Sequence, residues 1–248
     1  MDVVREQYFD FGIMGDEFGF VLDGFWVTLQ LSFVSGVLAL IWGLVLALMR
    51  QLPGRRLAPV RGLAIAYIDI FRGIPLLLVV LIISGSAPFV AEGLGLPRSV
   101  GIPQWFGKTD PFWYGTLALT VTYGAYMAEV YRAGIEGVPR GQMEAARALG
   151  MSHGRAMRHV IVPQAVRRVV PPLLNDYIAL MKDTSLIGVI ALLEVVEAGR
   201  TVQSETLNSS ALTLGALMFL VVTIPMARIV DRYIAHVQGR IQRGLATT

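Results

Sequence analysis

Cysteine is absent from all 248 residues, which excludes disulfides and thiolate metal sites. Histidine is scarce: His153, His159 and His236 form no HExxH pair, and no GxSxG elbow is present, so an intramembrane hydrolase is unsupported. Charge is thin as well. Only 16% of residues are charged, against about 25% in a typical soluble chain, whereas 54% are apolar and the mean hydropathy is +0.60. The charges are missing from long stretches instead of alternating with apolar residues. A net charge of +3 and a pI near 9.4 raise the question of nucleic acid, but the basic residues are distributed as a membrane topology requires. No nucleic-acid partner is expected.

Four charge-free runs stand out: Gly24 to Met49 (26 residues), Gly73 to Ala91 (19), Pro111 to Ala128 (18) and Thr206 to Ala227 (22). A spanning helix needs ~20 mostly apolar residues. The first run follows a polar, acidic N-terminal stretch with no basic region and no small-residue cleavage site, so it reads as a retained span and not a signal peptide. A fifth segment, 169–193, carries Asp176, Lys182 and Asp183 together with Pro171 and Pro172. Its 12 Leu, Ile and Val residues contribute roughly −5 kcal/mol to insertion, against roughly +8 to +10 for three central charges. It crosses only if broken, or lined by protein and water.

Lys and Arg set the direction. Fifteen fall in alternate segments: Arg50 to Arg61, Arg132 to Arg168, and the tail from Arg228 to Arg243. The other loops hold four (Arg5, Arg98, Lys108 and Arg200), with Arg72 and Lys182 left within the membrane region. The positive-inside rule then puts the N-terminus outside and the C-terminus in the cytoplasm. That parity demands an odd number of crossings. The expectation is an all-α integral membrane protein, one domain over 1–248, with five spans near 24–49, 64–91, 111–133, 169–193 and 207–229, the fourth of them broken.

The basic stretch 136–163 after the third span has helix signals of its own. Pro139 suits a first helical position, Gln142 to Leu149 are mostly good helix formers, and Gly150 supplies a stop. Ser152 can cap a second short helix, which Pro163 ends or kinks. Within this stretch Glu144-Ala145-Ala146, then Gly150, then Val160-Ile161-Val162-Pro163 resembles the EAA signature of permease subunits in binding-protein-dependent ABC importers. Val160 and Val162 stand where the family usually has Ile and Leu. Phe71-Arg72-Gly73-Ile74-Pro75, Ala128-Glu129-Val130-Tyr131-Arg132, and Asn175-Asp176-Tyr177 through Lys182-Asp183-Thr184-Ser185 are similar to the polar-amino-acid branch.

The resemblance implies a permease subunit of an amino-acid importer in a prokaryotic cytoplasmic (inner) membrane. It also implies that Glu144, Ala145, Ala146, Gly150 and Pro163 belong to a coupling segment docking on a cytoplasmic ATPase. The expected partners are two ATPase subunits holding ATP and Mg, a second permease (an identical copy or a paralogue), an extracytoplasmic binding protein, membrane lipid and the amino acid. No cofactor or metal is expected in this chain. The run Gly101 to Gly107-Lys108-Thr109 mimics a phosphate-binding loop, but five residues separate its glycines where four are required. ATP hydrolysis therefore belongs to another subunit.

Ionisable residues inside spans usually face a cavity or a partner. Asn175, Lys182, Thr184 and Ser185 are candidates for the substrate path, although Lys182 paired with Asp183 or Asp176 would be purely structural. Arg72 is a further candidate, or a local partner of Asp69 three residues earlier. Glu129 either reads substrate or pairs with Arg132. The competing class is an ion-gradient-driven secondary transporter, which would favour an internal repeat. None is visible in the order of spans.

Overall fold

The computed structural model describes residues 2–95 and 107–245. The glycine run from Gly101 falls outside these residues up to Gly107, as does Arg98. Eleven α-helices are described: α1 (Asp2–Tyr8), α2 (Phe11–Asp16), α3 (Phe18–Arg50), α4 (Ala58–Gly73), α5 (Leu76–Gly93), α6 (Asp110–Glu136), α7 (Arg140–Ala148), α8 (His153–Ala156), α9 (Val162–Asp183), α10 (Val195–Thr206) and α11 (Ser210–Leu245). There is no strand among the described residues. α3, α5 and residues 210–235 of α11 are long and apolar enough to cross a membrane. The 33 residues of α3 extend about 50 Å, well beyond a hydrocarbon core of about 30 Å. α6 has the length at 27 residues, but Thr, Tyr and Gly dilute it. That composition suits a helix whose middle is buried in protein.

α3 is the mast of the bundle, and three glycines mark where other helices touch it. A Cβ at Gly24 would stand 2.9 Å from the Ala198 side chain on α10. At Gly36 it would stand 2.5 Å from the Tyr177 ring on α9, and at Gly43 2.9 Å from the Gly124 carbonyl oxygen on α6. Small residues at helix contacts let backbones approach closely, which is how membrane helices associate when lipid supplies no hydrophobic drive. Gly124 answers from α6, receiving the Trp42 ring. Trp42 in turn donates through Nε1 to the Tyr67 hydroxyl (2.8 Å), and that hydroxyl donates to the Val121 carbonyl (2.9 Å), tying α3, α4 and α6 together.

The two ends of the bundle differ in chemistry. At one end Arg50, closing α3, donates to Glu129 on α6 (2.8 Å). Glu129 also accepts from Arg132, which reaches Glu136 as well. α7, α8 and the start of α9 continue from this end. At the other end the short α1 and α2 clasp the turn between α10 and α11. Gln7 Nε2 donates to the Leu207 carbonyl (2.9 Å), Asn208 Nδ2 to the Glu6 carbonyl (2.8 Å), and the Asp10 amide to Ser210 Oγ (2.8 Å).

Two interruptions shape the interior. α4 and α5 part at Ile74 and Pro75, because a proline drives the residue before it into extended backbone; Ile74 has ψ 131. The region 64–91 is thus two helices, where one span had been expected. The second interruption lies after Asp183, where the chain tightens into a 3-10 stretch (Thr184–Ile190) and turns at Ala191 with φ 62. The break in 169–193 is therefore at Thr184 and not at Pro171 and Pro172, which sit inside a continuous α9. The amides these prolines lack would have met the carbonyls of Arg167 and Arg168, and both of those residues are exposed.

Candidate functional site

The α4–α5 break opens a cavity of about 470 Å³. Its wall on one side is the backbone from Arg72 to Leu77; on the other it is Thr122, Tyr123 and Tyr126 of α6 with Asp183 and Leu186 from the end of α9 and the 3-10 stretch. α5 begins here with no side-chain cap; the Leu78 and Val79 amides donate to the Pro75 carbonyl, and those of Leu76 and Leu77 are left at the positive end of an 18-residue helix. The Arg72 guanidinium lies 6.0 Å from the centre of the Tyr126 ring, within cation–π range. The Tyr123 hydroxyl donates to Asp183 Oδ2 (2.8 Å). One cation, one carboxylate, two phenols and a free helix start therefore share a single enclosure. That donor and acceptor set complements a molecule bearing a carboxylate and an ammonium group.

Of the residues singled out in the sequence as substrate-path candidates, Arg72 is the one that lines this cavity. It makes no ion pair with Asp69. Thr184 is wholly buried and its hydroxyl donates to the Met181 carbonyl (2.7 Å), a helix-end role. Asn175 and Lys182 are exposed on α9, and Ser185 is half-buried; none of the three lines the cavity. Lys182 pairs with neither neighbour: Asp183 is held by Tyr123, and Asp176 Oδ2 is buried without a partner. Glu129 sits between Arg50 and Arg132 and does not line the cavity. Tyr123, Tyr126 and Asp183 were not anticipated as lining. The signal for the tyrosines was their three-residue spacing, which puts them on one face of α6.

The second functional element stands at the end of the bundle where α3 and α6 finish. α7 follows Pro139 directly, with Pro139 just outside the helix as its N-cap and Arg140 as its first residue. It ends at Gly150, φ +80, in a Schellman arrangement: the Gly150 amide donates to the Arg147 carbonyl (3.0 Å) and the Met151 amide to the Ala146 carbonyl (3.1 Å). Ser152 then caps α8, accepting from the Arg155 amide. The helix does not end at Pro163. It passes through a π turn (Met157–Ile161) and runs on as α9, with Pro163 just after the π turn, where the hydrogen-bond ladder is already shifted.

α7 has one seated face and one bare face. Ala146 is buried, and Met143 packs with Val138, Met157 and Ile161, which holds the helix against the root of α9. Glu144, Ala145, Ala148 and Leu149 point outward, Leu149 being 84% exposed. An exposed leucine among alanines at the tip of a rigidly seated helix is the anatomy of a docking knob.

The chain matches the model of the family described as "Binding-protein-dependent transport system inner membrane component" over residues 39–243. It is 37% identical over 216 residues to a probable glutamine ABC transporter permease of Bacillus subtilis, covering 87% of this chain and 92% of that one. It is 36% identical over 195 residues to a glutamate/aspartate import permease of Escherichia coli, covering 78% and 82%. Among solved structures, one described as an amino acid ABC transporter with histidines superposes with a TM-score of 0.76 at 31% identity, covering 90% of this chain and 97% of that one. The bare-faced α7, the interrupted helices around a polar cavity and these likenesses converge, and the chain belongs to the binding-protein-dependent transport system inner membrane components, the permease subunits of ABC importers.

Proposed function

We propose that this permease carries polar amino acids inward across a prokaryotic cytoplasmic membrane, and that it crosses that membrane five times. The spans are α3, the α4–α5 pair, α6, α9 with the 3-10 stretch, and α11. The N-terminus lies outside and α7 in the cytoplasm. The gathering of Arg50, Arg132 and the arginines of 140–168 toward one end of the bundle supports this direction. The observation that carries the substrate reading is the cavity at the α4–α5 break. There the substrate carboxylate meets Arg72 and the first amides of α5, while its ammonium meets Asp183 and the tyrosine rings. Names of relatives that handle glutamine and glutamate or aspartate agree with a polar, zwitterionic cargo.

Energy comes from a separate ATPase carrying ATP and Mg, docked on the outward face of α7 at Glu144, Ala145, Leu149 and Gly150. Closure of the ATPase pair pushes α7, which is wedged against the start of α9. α9 ends at Asp183, beside the cavity. One stroke is thus relayed along 22 residues of helix to the carboxylate that holds the cargo. The ATPases shift the equilibrium only to the extent that they bind one arrangement better than the other. A second permease copy or paralogue completes the pathway, and an external binding protein delivers the amino acid.

The test is reconstitution of the chain with its ATPase and binding protein in liposomes. ATP-dependent uptake of a labelled polar amino acid is expected, with Glu144→Arg abolishing ATPase association while the chain stays in the membrane. Uptake that persists without ATP and follows an ion gradient would refute the reading.

A further inference from the structure

α6 lies inside the bundle, and its exposed residues are few: Leu117, Tyr126, Ala133 and Glu136. The last three, taken with Thr122 and the half-buried Glu129, recur at intervals of four, three, four and three residues. That spacing sets all five on one face of the helix. Thr122 and Tyr126 line the cavity at the α4–α5 break. The strip therefore starts at the cavity wall and runs about 15 Å from Tyr126 to Glu136, where the chain leaves α6 for α7. Two carboxylates along it make it a poor partner for acyl chains.

Glu129 stands on this strip about 4.5 Å along the axis beyond Tyr126. Its carboxylate has two partners with different freedom. Arg132 belongs to the same helix, where it also reaches Glu136, so it stays beside Glu129 however the bundle moves. Arg50 comes from another helix. As the last residue of α3, it can swing its side chain away without any shift of the backbone. Arg50 and Glu129 keep 26% and 22% of their side-chain exposure, so a small polar molecule can reach the pair. An ion pair open to water is held weakly.

The two sites carry the same charges. Arg72 and Asp183 bound the cavity, and one turn further along α6 Arg50 meets Glu129. We propose that Arg50 and Glu129 form a second station for the cargo on its way out of the cavity. The cargo ammonium replaces the guanidinium on Glu129, and the freed Arg50 takes the cargo carboxylate. Every charge keeps a partner through this exchange, which a zwitterion permits and a cargo of one sign does not. With Arg50 resting on Glu129, as in this structure, the station is shut. The identity of the cargo rests on the proposed function; the strip and the cross-helix pair stand without it.

Two measurements on the full transporter, reconstituted with its ATPase and binding protein, test the station. The first separates KM from the maximal rate of ATP-dependent uptake. Glu129→Gln should lower the maximal rate about tenfold, the effect of one charge-assisted contact. KM should stay unchanged, because the cavity that loads the cargo is untouched, and the assembled transporter should be recovered in normal yield. An unchanged rate, a raised KM or lost assembly overturns the proposal. A parent transporter that takes up no amino acid would sink the proposed function instead, so the two failures are distinct.

The second measurement does not depend on that variant. Because the chain has no native cysteine, Ala133→Cys places its one thiol on the strip. A sulfonated maleimide applied to the assembled transporter in nanodiscs should modify this thiol. After reconstitution, the modified variant should have lost the uptake of the unmodified one, the parent transporter treated in the same way setting the baseline. Uptake that survives modification overturns the proposal. So does a thiol that reacts in the isolated chain but not in the assembled transporter, which would assign the strip to a partner subunit.

Discussion

Replacing Gly150 separates the shape of the α7 tip from its bulk. The residue sits at φ +80, and a Cβ built there meets nothing within 4 Å. No neighbour would be struck, so the whole effect of a substitution is conformational. A side chain forced into the left-handed region costs about 1–2 kcal/mol. Relieving that strain means giving up the Schellman bonds to Ala146 and Arg147, after which Leu149 no longer points where α7 now holds it. A cost of that size shifts the ratio of well-formed to frayed tip by a factor of about 5–30. Gly150→Val should therefore depress ATP-dependent uptake in proteoliposomes, by at most that factor. The thermal midpoint of the bundle should barely move, since the tip is exposed. Gly150→Asn should retain most activity, because Asn tolerates the left-handed region. Full activity in the Val variant, or equal impairment in Val and Asn, would refute the reasoning.

At Gly134 the opposite logic applies. A Cβ there would lie 2.0 Å from Val169 Cγ1, so Gly134→Ala should destabilise the α6–α9 contact by about 1–3 kcal/mol, read as a lowered thermal midpoint. Val169→Ala in the same chain should restore most of the loss, and failure to do so would remove sterics as the cause. Asp183→Asn should raise the uptake KM for a zwitterionic amino acid while the assembled transporter is recovered in normal yield; loss of assembly instead would make Asp183 structural. A double-mutant cycle on Arg50→Ala and Glu129→Gln should give a coupling of at most about 1 kcal/mol, because both side chains remain partly exposed (26% and 22%). A much larger coupling would mean that water is excluded from this end of the bundle.

What could be read in the sequence was governed by how local the cause is. The α7 segment was legible almost to the residue: Pro139, the alanine-rich run, Gly150 and Ser152 act through their own backbone, and each behaves as its chemistry dictates. That Arg72 stands beside a helix interruption was legible too, from the Gly–Ile–Pro that follows it; that it lines a cavity there is what the structure adds. That segment 169–193 is interrupted was legible from its charges and prolines, but the position of the break after Asp183 was not, because Pro171 and Pro172 orphan only the carbonyls of exposed residues and leave α9 continuous. The meeting of Asp183 with the tyrosines at the cavity was not legible because it is tertiary: sixty positions of chain separate Tyr123 from Asp183. The clasp of α1 and α2 was invisible for the same reason. Its hydrogen bonds join residues some 200 positions apart.

The glycine contacts along α3 limit how the permease can move. Where Gly43 meets Gly124, no side chain separates the two backbones. The Trp42 ring lies over Gly124 and Met127 Cβ beside Gly43, so a slide or roll of α3 against α6 would have to displace these side chains. Whatever swings during transport must hinge where the chain already departs from regular helix, at Ile74–Pro75 and at Thr184–Ala191, and both hinges border the same cavity. On the proposed function, cargo and pivot share one address, and an amino acid in the cavity would sit on the joint it needs to turn.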